Sequence, residues 1–427
     1  MSKASLIEWR GIAAVIGVDW GDSGKGRLID DLAKRAHIVA RFSGGSNTGH
    51  TVENKHGKFA LHIMPSGIFH KNTHCLIGRN VALDLESLSE EMDALDKAKV
   101  SYDNLTIDEQ ATLTMPWHKV RDGIREKLRS GNKKIGTTGK GVGPTYADRT
   151  ERVGLLVKDL FSKDFRKKLT EEIKIQNKFF GLKLNDEKIY RQYLKISKRI
   201  KSFVGSTLEI LREAQKSGKN ILFEGAQGYF LDIDAGTYPF VTSSNPGIVG
   251  IMRSFDLHPS VLNEVIGITK SYTTRVGAGP MPTKIDAEIR EFLIIRGKEK
   301  GTTTNRLRDP GWLDLVLIKA AAEANRLTAL AVTKLDVLSG LVSIKICVGY
   351  KLDGKKVDYL PHDAEFLTQV EPVYEEMSGW EEDISAIRNF KDLPTSAKKY
   401  IKRIEKITNI PVKFISVGPE RGQVIYV

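Results

Sequence analysis

Short apolar runs that end in glycine-rich or polar loops recur along the chain. The first, Ile12 to Val18, runs into the loop Gly17 to Gly26. Arg27 to Arg35 follows with Leu28, Ile29 and Leu32 on one face, the spacing of an amphipathic helix. A second apolar run, His37 to Phe42, opens into a small-residue loop, Ser43 to Thr51. Strand, glycine loop, helix, strand predicts an α/β protein with a parallel sheet. Leu85 to Lys99 and Trp117 to Leu128 have helical spacing, and Lys158 to Lys216 is a long lysine-rich helical pattern. Ile221 to Glu224, Val265 to Thr269 and Leu327 to Thr333 read as further buried strands, each followed by a polar loop. In open α/β sheets such loops are where ligands bind. No repeat of about 20–50 residues and no low-complexity linker divides the chain. The pattern predicts one α/β unit over residues 1–427 with a short N-terminal extension over 1–11.

Composition changes this picture little. The 427 residues are 41% hydrophobic with 38 Gly and 14 Pro, a globular balance. Two cysteines, Cys75 and Cys347, exclude a disulfide scaffold and a cysteine-based zinc cluster, and they suit a reducing, cytoplasmic setting. No stretch approaches the roughly 18 unbroken apolar residues that span a bilayer, so no membrane partner is expected. Met1 to Arg10 lacks an apolar core of signal-peptide length, so export is not expected either. Charge is the unusual figure: 66 Lys+Arg against 53 Asp+Glu, a net +13. Nucleic acid, an anionic small substrate and a solvated basic surface are all compatible with it. No zinc finger or RNP-type aromatic motif supports nucleic acid, and the lysines concentrate in helical patterns such as Lys163–Lys201 and Lys398–Lys406. No nucleic-acid partner is expected.

Four loops are ready for anions. In Gly17-Val18-Asp19-Trp20-Gly21-Asp22-Ser23-Gly24-Lys25-Gly26, glycines let backbone amides approach a phosphate, the next helix offers its N-terminus, and Lys25 adds a mobile charge. The loop departs from the Walker pattern, with Asp19 in place of the first Gly and Gly26 in place of the Mg²⁺-binding hydroxyl. Any metal here needs another ligand, and Asp22 is the nearest carboxylate. A bland turn with a helix cap is the alternative. The second loop, Gly44 to Thr51, carries His50, which is either a surface residue or a donor to a phosphoryl group, with Asp22 as base or metal ligand. Gly136 to Pro144 is a third anion-ready loop, and Thr302 to Arg308 sets hydroxyls beside two guanidiniums, which suits a carboxylate or phosphate. Thr333-Lys334-Leu335-Asp336 matches the Asn/Thr-Lys-x-Asp motif of guanine sites, where the carboxylate accepts from N1–H and the 2-amino group. An exposed strand-end Lys/Asp pair is its bland alternative; beside a phosphate loop, the motif favours GTP over ATP. The expected fold is thus α/β, a P-loop-NTPase-like central, mostly parallel sheet with helical elaborations.

Taken together, nine segments resemble the adenylosuccinate synthetase family from about Ala13 to the C-terminus. They are Trp20–Gly26, Gly44–Thr51, Gly136–Asp148, Phe223–Gly228, Leu231–Asn245, Thr274–Thr283, Gly311–Asp314, Thr333–Leu338 and Ser416–Glu420. The resemblance implies a GTP-dependent ligase of purine biosynthesis that needs Mg²⁺. The γ-phosphoryl group passes to O6 of a purine nucleoside monophosphate, normally IMP, and L-aspartate then displaces phosphate at C6. By the same resemblance Asp22, His50 and Lys25 are catalytic, and Asp22 and the Gly49 carbonyl bind Mg²⁺. Asn47, Thr138, Gln227, Thr242 and Val276 surround the purine nucleotide, and Arg152 reaches its phosphate from the neighbouring subunit of a homodimer. Thr303, Thr304, Arg306 and Arg308 hold aspartate. Ser23, Gly24, Gly26 and Thr51 lie on GTP with Lys334, Asp336, Ser416 and Gly418.

The chain also departs from the family pattern. Ser23 stands where Glu is usual, Ser46 where His is usual and Asp19 where Gln is common, and the arginine run reads Arg306-Leu307-Arg308-Asp309. Neutral drift is one account. Altered purine specificity is the other, since Ser23 adjoins the residue expected at purine N1 and a smaller side chain there offers room for the 2-amino group of GMP or dGMP, as in phage relatives. A GTP-regulated binding protein is the third class. Against it stand an acid, a histidine and an arginine-bearing loop for a third substrate.

Overall fold

The computed structural model describes residues 9–54, 56–131, 134–300, 307–357, 363–420 and 422–427. Ten strands, numbered along the chain, form a central sheet: β1 (Ile12–Gly17), β2 (Ile38–Arg41), β3 (His74–Ile77), β4 (Leu105–Asp108), β5 (Val204–Gly205), β6 (Ile221–Glu224), β7 (Leu262–Lys270), β8 (Ala329–Thr333), β9 (Val412–Ser416) and β10 (Val424–Tyr426). Their order is β10-β9-β8-β7-β1-β6-β2-β3-β4-β5. Every pairing is parallel except that of β9 with β10.

β1 lies between β6 and β7 and is buried along its whole length. Its alternate residues enter different cores. Ala13 and Val15 join Leu28, Ile29 and Leu32, whereas Ile12, Ala14 and Ile16 join Phe42, Phe223 and Phe255. Burial on both faces is why such strands read as unbroken apolar runs.

The first helix, α1, spans Lys25–Ala33 and so begins earlier than Arg27. Gly24 precedes it with a φ of 83°, a left-handed conformation that glycine adopts without strain. Lys25 and Gly26 therefore lie in the first helical turn. α2 (Leu85–Lys97) and α3 (Pro116–Leu128) occupy the two expected stretches, and Asp84 caps α2 by accepting from the Glu86 and Ser87 N–H groups. α4 (Val142–Glu151) follows the third glycine loop. The lysine-rich stretch is not one helix but three: α5 (Phe165–Phe180), α6 (Asp186–Ile200) and α7 (Thr207–Lys216). Gly181 ends α5 at a φ of 61°, Asn185 caps α6 through the Lys188 N–H, and β5 intervenes before Ser206 caps α7. Apolar spacing carries across these breaks; capping chemistry does not.

Three more helices matter for the site: α8 (Ile248–Phe255), α9 (Ala287–Gly297) and α10 (Leu315–Asn325). A long antiparallel pair, Leu341–Leu352 with Glu371–Trp380, packs with α10 into a further core. It escaped the apolar-run reading because polar residues occupy many of its positions. Trp9, within the expected N-terminal extension, is buried in the first core.

Phe223 on β6 packs between Phe42, edge to face, and Phe255, at ring centroid distances of 6.5 Å and 5.3 Å. Phe223→Ala is expected to cost about 3–5 kcal/mol of stability by cavity formation. Denaturant unfolding measures it, and a loss near zero contradicts this packing.

Candidate active site

Because the strands run parallel, the loops after β1, β2, β6, β8 and β9 open on one edge of the sheet. They line a cavity of about 700 Å³ together with residues from the Gly136–Gly143 loop and the segment after β7. Asp22, Ser23, Gly24, Lys25, Gly26, Asn47, Gly49, His50, Thr138, Gln227, Thr242, Val276, Arg308, Lys334, Ser416 and Gly418 all contribute to its wall. Residues spread over most of the chain thus meet in one space.

The β1 loop is anchored from three sides. Thr333 Oγ1 donates to the Ser23 carbonyl at 2.8 Å, which ties the loop to the end of β8. Lys25 Nζ donates to the Gln227 carbonyl. Gly228 passes so close that a Cβ there would lie 2.3 Å from the Asp19 carbonyl oxygen, so only glycine fits. Asp22, at a φ of 56°, directs its carboxylate to Arg308, whose Nε donates to Oδ2 at 2.7 Å. Burial opposes the charge on Asp22, but Arg308, Lys270 and Lys25 hold the carboxyl below its ordinary range. It is ionised at neutral pH.

His50 begins the short strand His50–Asn54. Its Nε2 lies 2.8 Å from Ser66 Oγ and 3.1 Å from Glu224 Oε1. Burial, with Arg41, His62 and Lys25 nearby, pushes its pKa down to about 3. The imidazole is therefore neutral at physiological pH. Glu224 also accepts from the Ser66 N–H at 2.8 Å and from Ser66 Oγ at 2.9 Å. Neither Glu224 nor Arg41, which ends β2 and lines the cavity, was singled out from the sequence. A charged residue at the carboxyl end of a buried strand is the signal that would have found both.

On the far side of the Asp22 loop, Gln227 Nε2 donates to Thr242 Oγ1 at 3.2 Å and Asn47 Nδ2 approaches the same hydroxyl at 3.4 Å. Asn47 Oδ1 is buried without a hydrogen-bond partner among the described residues, so one acceptor remains open there. At the other end, Asp336 sits in the helical turn Leu335–Leu338, and its Oδ1 is likewise an unpaired buried acceptor among the described residues. Burial raises its carboxyl above the ordinary range against the pull of Lys334. Arg27, also not foreseen, donates to Ser416 Oγ at 2.9 Å and to the Gly418 carbonyl. An open carboxylate acceptor beside Lys334 suits a base that offers two adjacent N–H donors.

Other expected residues lie elsewhere. Arg152 is exposed at the C-terminal end of α4 and does not line the cavity of its own chain. Thr51 is on the His50–Asn54 strand. Thr303, Thr304 and Arg306 lie outside the described residues. Ser23 lines the cavity, but its hydroxyl is engaged within the loop. Its side chain is fully buried and its Oγ donates to Asp19 Oδ1 at 2.7 Å, beside the Gly21 N–H at 2.8 Å. The two departures at 19 and 23 thus form one internal contact.

The adenylosuccinate synthetase family model matches residues 14–425. The chain belongs to that family. The adenylosuccinate synthetase of Acetivibrio thermocellus is 47% identical over 419 residues, covering 97% of this chain and 99% of its own. That of Thermoanaerobacter sp. is 46% identical over 417 residues, covering 96% of this chain and 98% of its own. Among solved structures, the fully ligated adenylosuccinate synthetase of Plasmodium falciparum superposes with a TM-score of 0.94 at 36% identity, covering 98% of this chain and all of that one. The succinoaminodeoxyadenylate synthetase of cyanophage S-2L, bound to dGMP and to dATP as an energy donor, matches at a TM-score of 0.63 and 16% identity, which establishes shared fold alone. Family membership makes the chain a ligase of purine biosynthesis built on the α/β fold expected from its loops.

A metal in this family site has a modest protein donor set to use. Among the described residues no group of three or more His, Cys, Asp or Glu side chains converges for an ion. One carboxylate, Asp22, and the Gly49 carbonyl on the cavity wall fit a Mg²⁺ ion held largely by nucleotide phosphates.

Ser23→Ala removes one of the hydrogen bonds on a buried carboxylate. It is expected to cost about 1–3 kcal/mol of stability. A denaturant midpoint that does not move would show that Asp19 has another partner.

Proposed function

We propose that this chain joins L-aspartate to IMP at the expense of GTP, giving adenylosuccinate, GDP and phosphate. The observation that carries the reading is the cavity itself. An ionised Asp22 and a neutral His50 stand on its wall with Asn47, Gln227 and Thr242 and with Lys334, and Asp336 follows Lys334 in the next helical turn.

In the first step Asp22 accepts the proton from purine N1, and the electron pair released makes O6 nucleophilic. O6 attacks the γ-phosphorus of GTP, the bond to the β-bridging oxygen breaks, and GDP leaves. His50 donates a hydrogen bond to the transferring phosphoryl group, and Lys25, in the first turn of α1, adds positive charge where charge develops. Phosphorylation turns O6 into a leaving group. In the second step the amino group of aspartate attacks C6 and phosphate departs with the C6–O6 bond. Arg308, with Thr303, Thr304 and Arg306, holds the aspartate carboxylates; the planar fork of arginine matches them. Mg²⁺, when bound, neutralises charge on the phosphates, and Asp22 and the Gly49 carbonyl would hold it. The open Asp336 acceptor selects guanine, with Lys334, Ser416 and Gly418 around the base, and the N–H groups of the Ser23–Gly26 turn face the phosphates.

Arg152 completes a different site. Its exposed position supports a homodimer in which each Arg152 reaches the purine phosphate of the partner. No helix among the described residues is long and apolar enough to cross a membrane, and we place the enzyme in the cytoplasm. The purine choice rests on the family: the adenylosuccinate synthetases of Acetivibrio thermocellus and Thermoanaerobacter sp. are 46–47% identical over nearly the whole chain.

Phosphate release from GTP should require both aspartate and IMP, with GMP and dGMP inactive in parallel assays. Equal turnover of dGMP would reverse the purine assignment, and hydrolysis indifferent to aspartate would remove the ligase reading. Asp22→Asn should lower kcat by about 10²–10⁴-fold, the range of a lost general base. Asp336→Asn should raise the KM for GTP by about tenfold or more, as expected for hydrogen bonds to a charged acceptor. Steady-state kinetics reads both.

A further inference from the structure

Glu299 lies outside every segment that carries the family resemblance, yet its side chain is fully buried behind the cavity wall. It follows the C-terminal turn of α9, where Lys298 adopts a φ of 48° and the Glu299 N–H returns to the Ile294 carbonyl at 3.0 Å. The Arg308 N–H donates to the Glu299 carbonyl at 3.0 Å, so the two residues are joined through the backbone as well.

The carboxylate gathers donors from three separate elements. Lys334 Nζ, just past β8, donates at 2.6 Å. Lys270 Nζ, at the end of β7, lies 3.1 Å and 3.0 Å from the two oxygens. Arg308 Nη1 donates at 3.0 Å, and the Tyr272 hydroxyl at 2.5 Å. Among the described residues no other carboxylate pairs with Lys270 or Lys334, and the second partner of Arg308 is Asp22. Burial alone would favour the neutral acid, but Lys270 and Lys334 hold Glu299 well below the ordinary carboxylate range. Its charge is thus permanent at working pH.

Two buried cations and the half-buried Lys334 around one anion have a mechanical consequence. Remove the charge, and Lys270, Lys334 and Arg308 repel one another, with Asp22 the nearest counter-ion left to them. The head group of Lys334 then loses its setting beside the base, and that of Arg308 is drawn wholly to Asp22. We propose that Glu299 is a positioning residue for both ends of the site, one buried carboxylate that sets Lys334 for guanine and Arg308 for aspartate. This rests on the reaction given above, in which those two residues serve different substrates.

Glu299→Gln keeps the shape and removes the charge. KM for GTP and KM for aspartate should each rise about tenfold or more, the effect of losing hydrogen bonds between charged groups. KM for IMP should stay within about twofold, because Asn47, Thr138, Gln227, Thr242 and Val276 have no bond to Glu299 and distant sites act independently. A rise in all three constants would mean general loosening and would overturn the proposal, as would no change in GTP and aspartate. Stripping one charge from this cluster can prevent folding, so Lys270→Met combined with Glu299→Gln, which preserves the cluster's net charge, is measured alongside, with circular dichroism as the check on fold. Calorimetric titration with GTP alone reads the Lys334 arm without turnover, and an unchanged Kd in a folded variant refutes it. Wild-type protein that needs no aspartate for turnover would refute the reaction itself, a result independent of either variant.

Discussion

A strand hydrogen-bonded on both edges and packed on both faces has no room for chemistry along its length, so chemistry collects where it stops. β1 is such a strand, held between β6 and β7. Because its neighbours are parallel, their carboxyl ends fall on the same edge of the sheet, and most of the loops that line the cavity emerge there. Asp22, His50, Gln227 and Lys334 meet only because β1, β2, β6 and β8 share a direction. The close approach of Gly228 to the β1 loop and the bond from Thr333 to Ser23 then fix the loops against one another.

Convergence of anion-ready loops creates a second constraint, the management of buried charge. Lys25, Arg41, Arg308 and Lys334 line one cavity, Lys270 shares Glu299 with the last two, and a buried cation is tolerated only when paired. The protein answers with carboxylates at defined points. Asp19 lies inside the β1 loop, Asp22 opposes Arg308, Glu224 stands beside His50, and Glu299 serves Lys270, Lys334 and Arg308 together. His50 stays neutral in the same field because both burial and its cationic neighbours oppose a further positive charge. The basic excess of the whole chain is a different matter. Much of it lies on α5, α6 and the helix Thr395–Thr408, which bury one apolar face and turn lysines to solvent.

The central strands β1, β2, β6, β7 and β8 and their loops were legible because burial on both faces leaves an unbroken apolar run that ends abruptly at glycine or polar residues, whereas β3, β4, β5 and β9 were not read. The breaks inside the lysine-rich stretch were not, since Gly181 and Asn185 act through backbone conformation and capping, which leave apolar spacing undisturbed. The antiparallel pair Leu341–Leu352 and Glu371–Trp380 was missed for the converse reason: its polar positions hide a half-buried strand. In the site, residues within glycine loops announced themselves by local chemistry. Arg41, Glu224 and Glu299 did not, because a single charged residue beside apolar neighbours has no meaning until its partners, distant in the chain, are brought against it.

The sequence by itself determined the sheet class, the carboxyl-edge loops, the family, and the residue types proposed for phosphate, guanine and carboxylate. These follow from local order, since a glycine loop or a Thr-Lys-x-Asp turn carries its function within a few residues. The tertiary structure alone decided which charges face one another. It joined Ser23 to Asp19, set Arg308 on Asp22, and placed Glu299 beneath both Lys334 and Arg308. Electrostatic pairing depends on distance and burial, and neither quantity is carried by the order of residues along a chain.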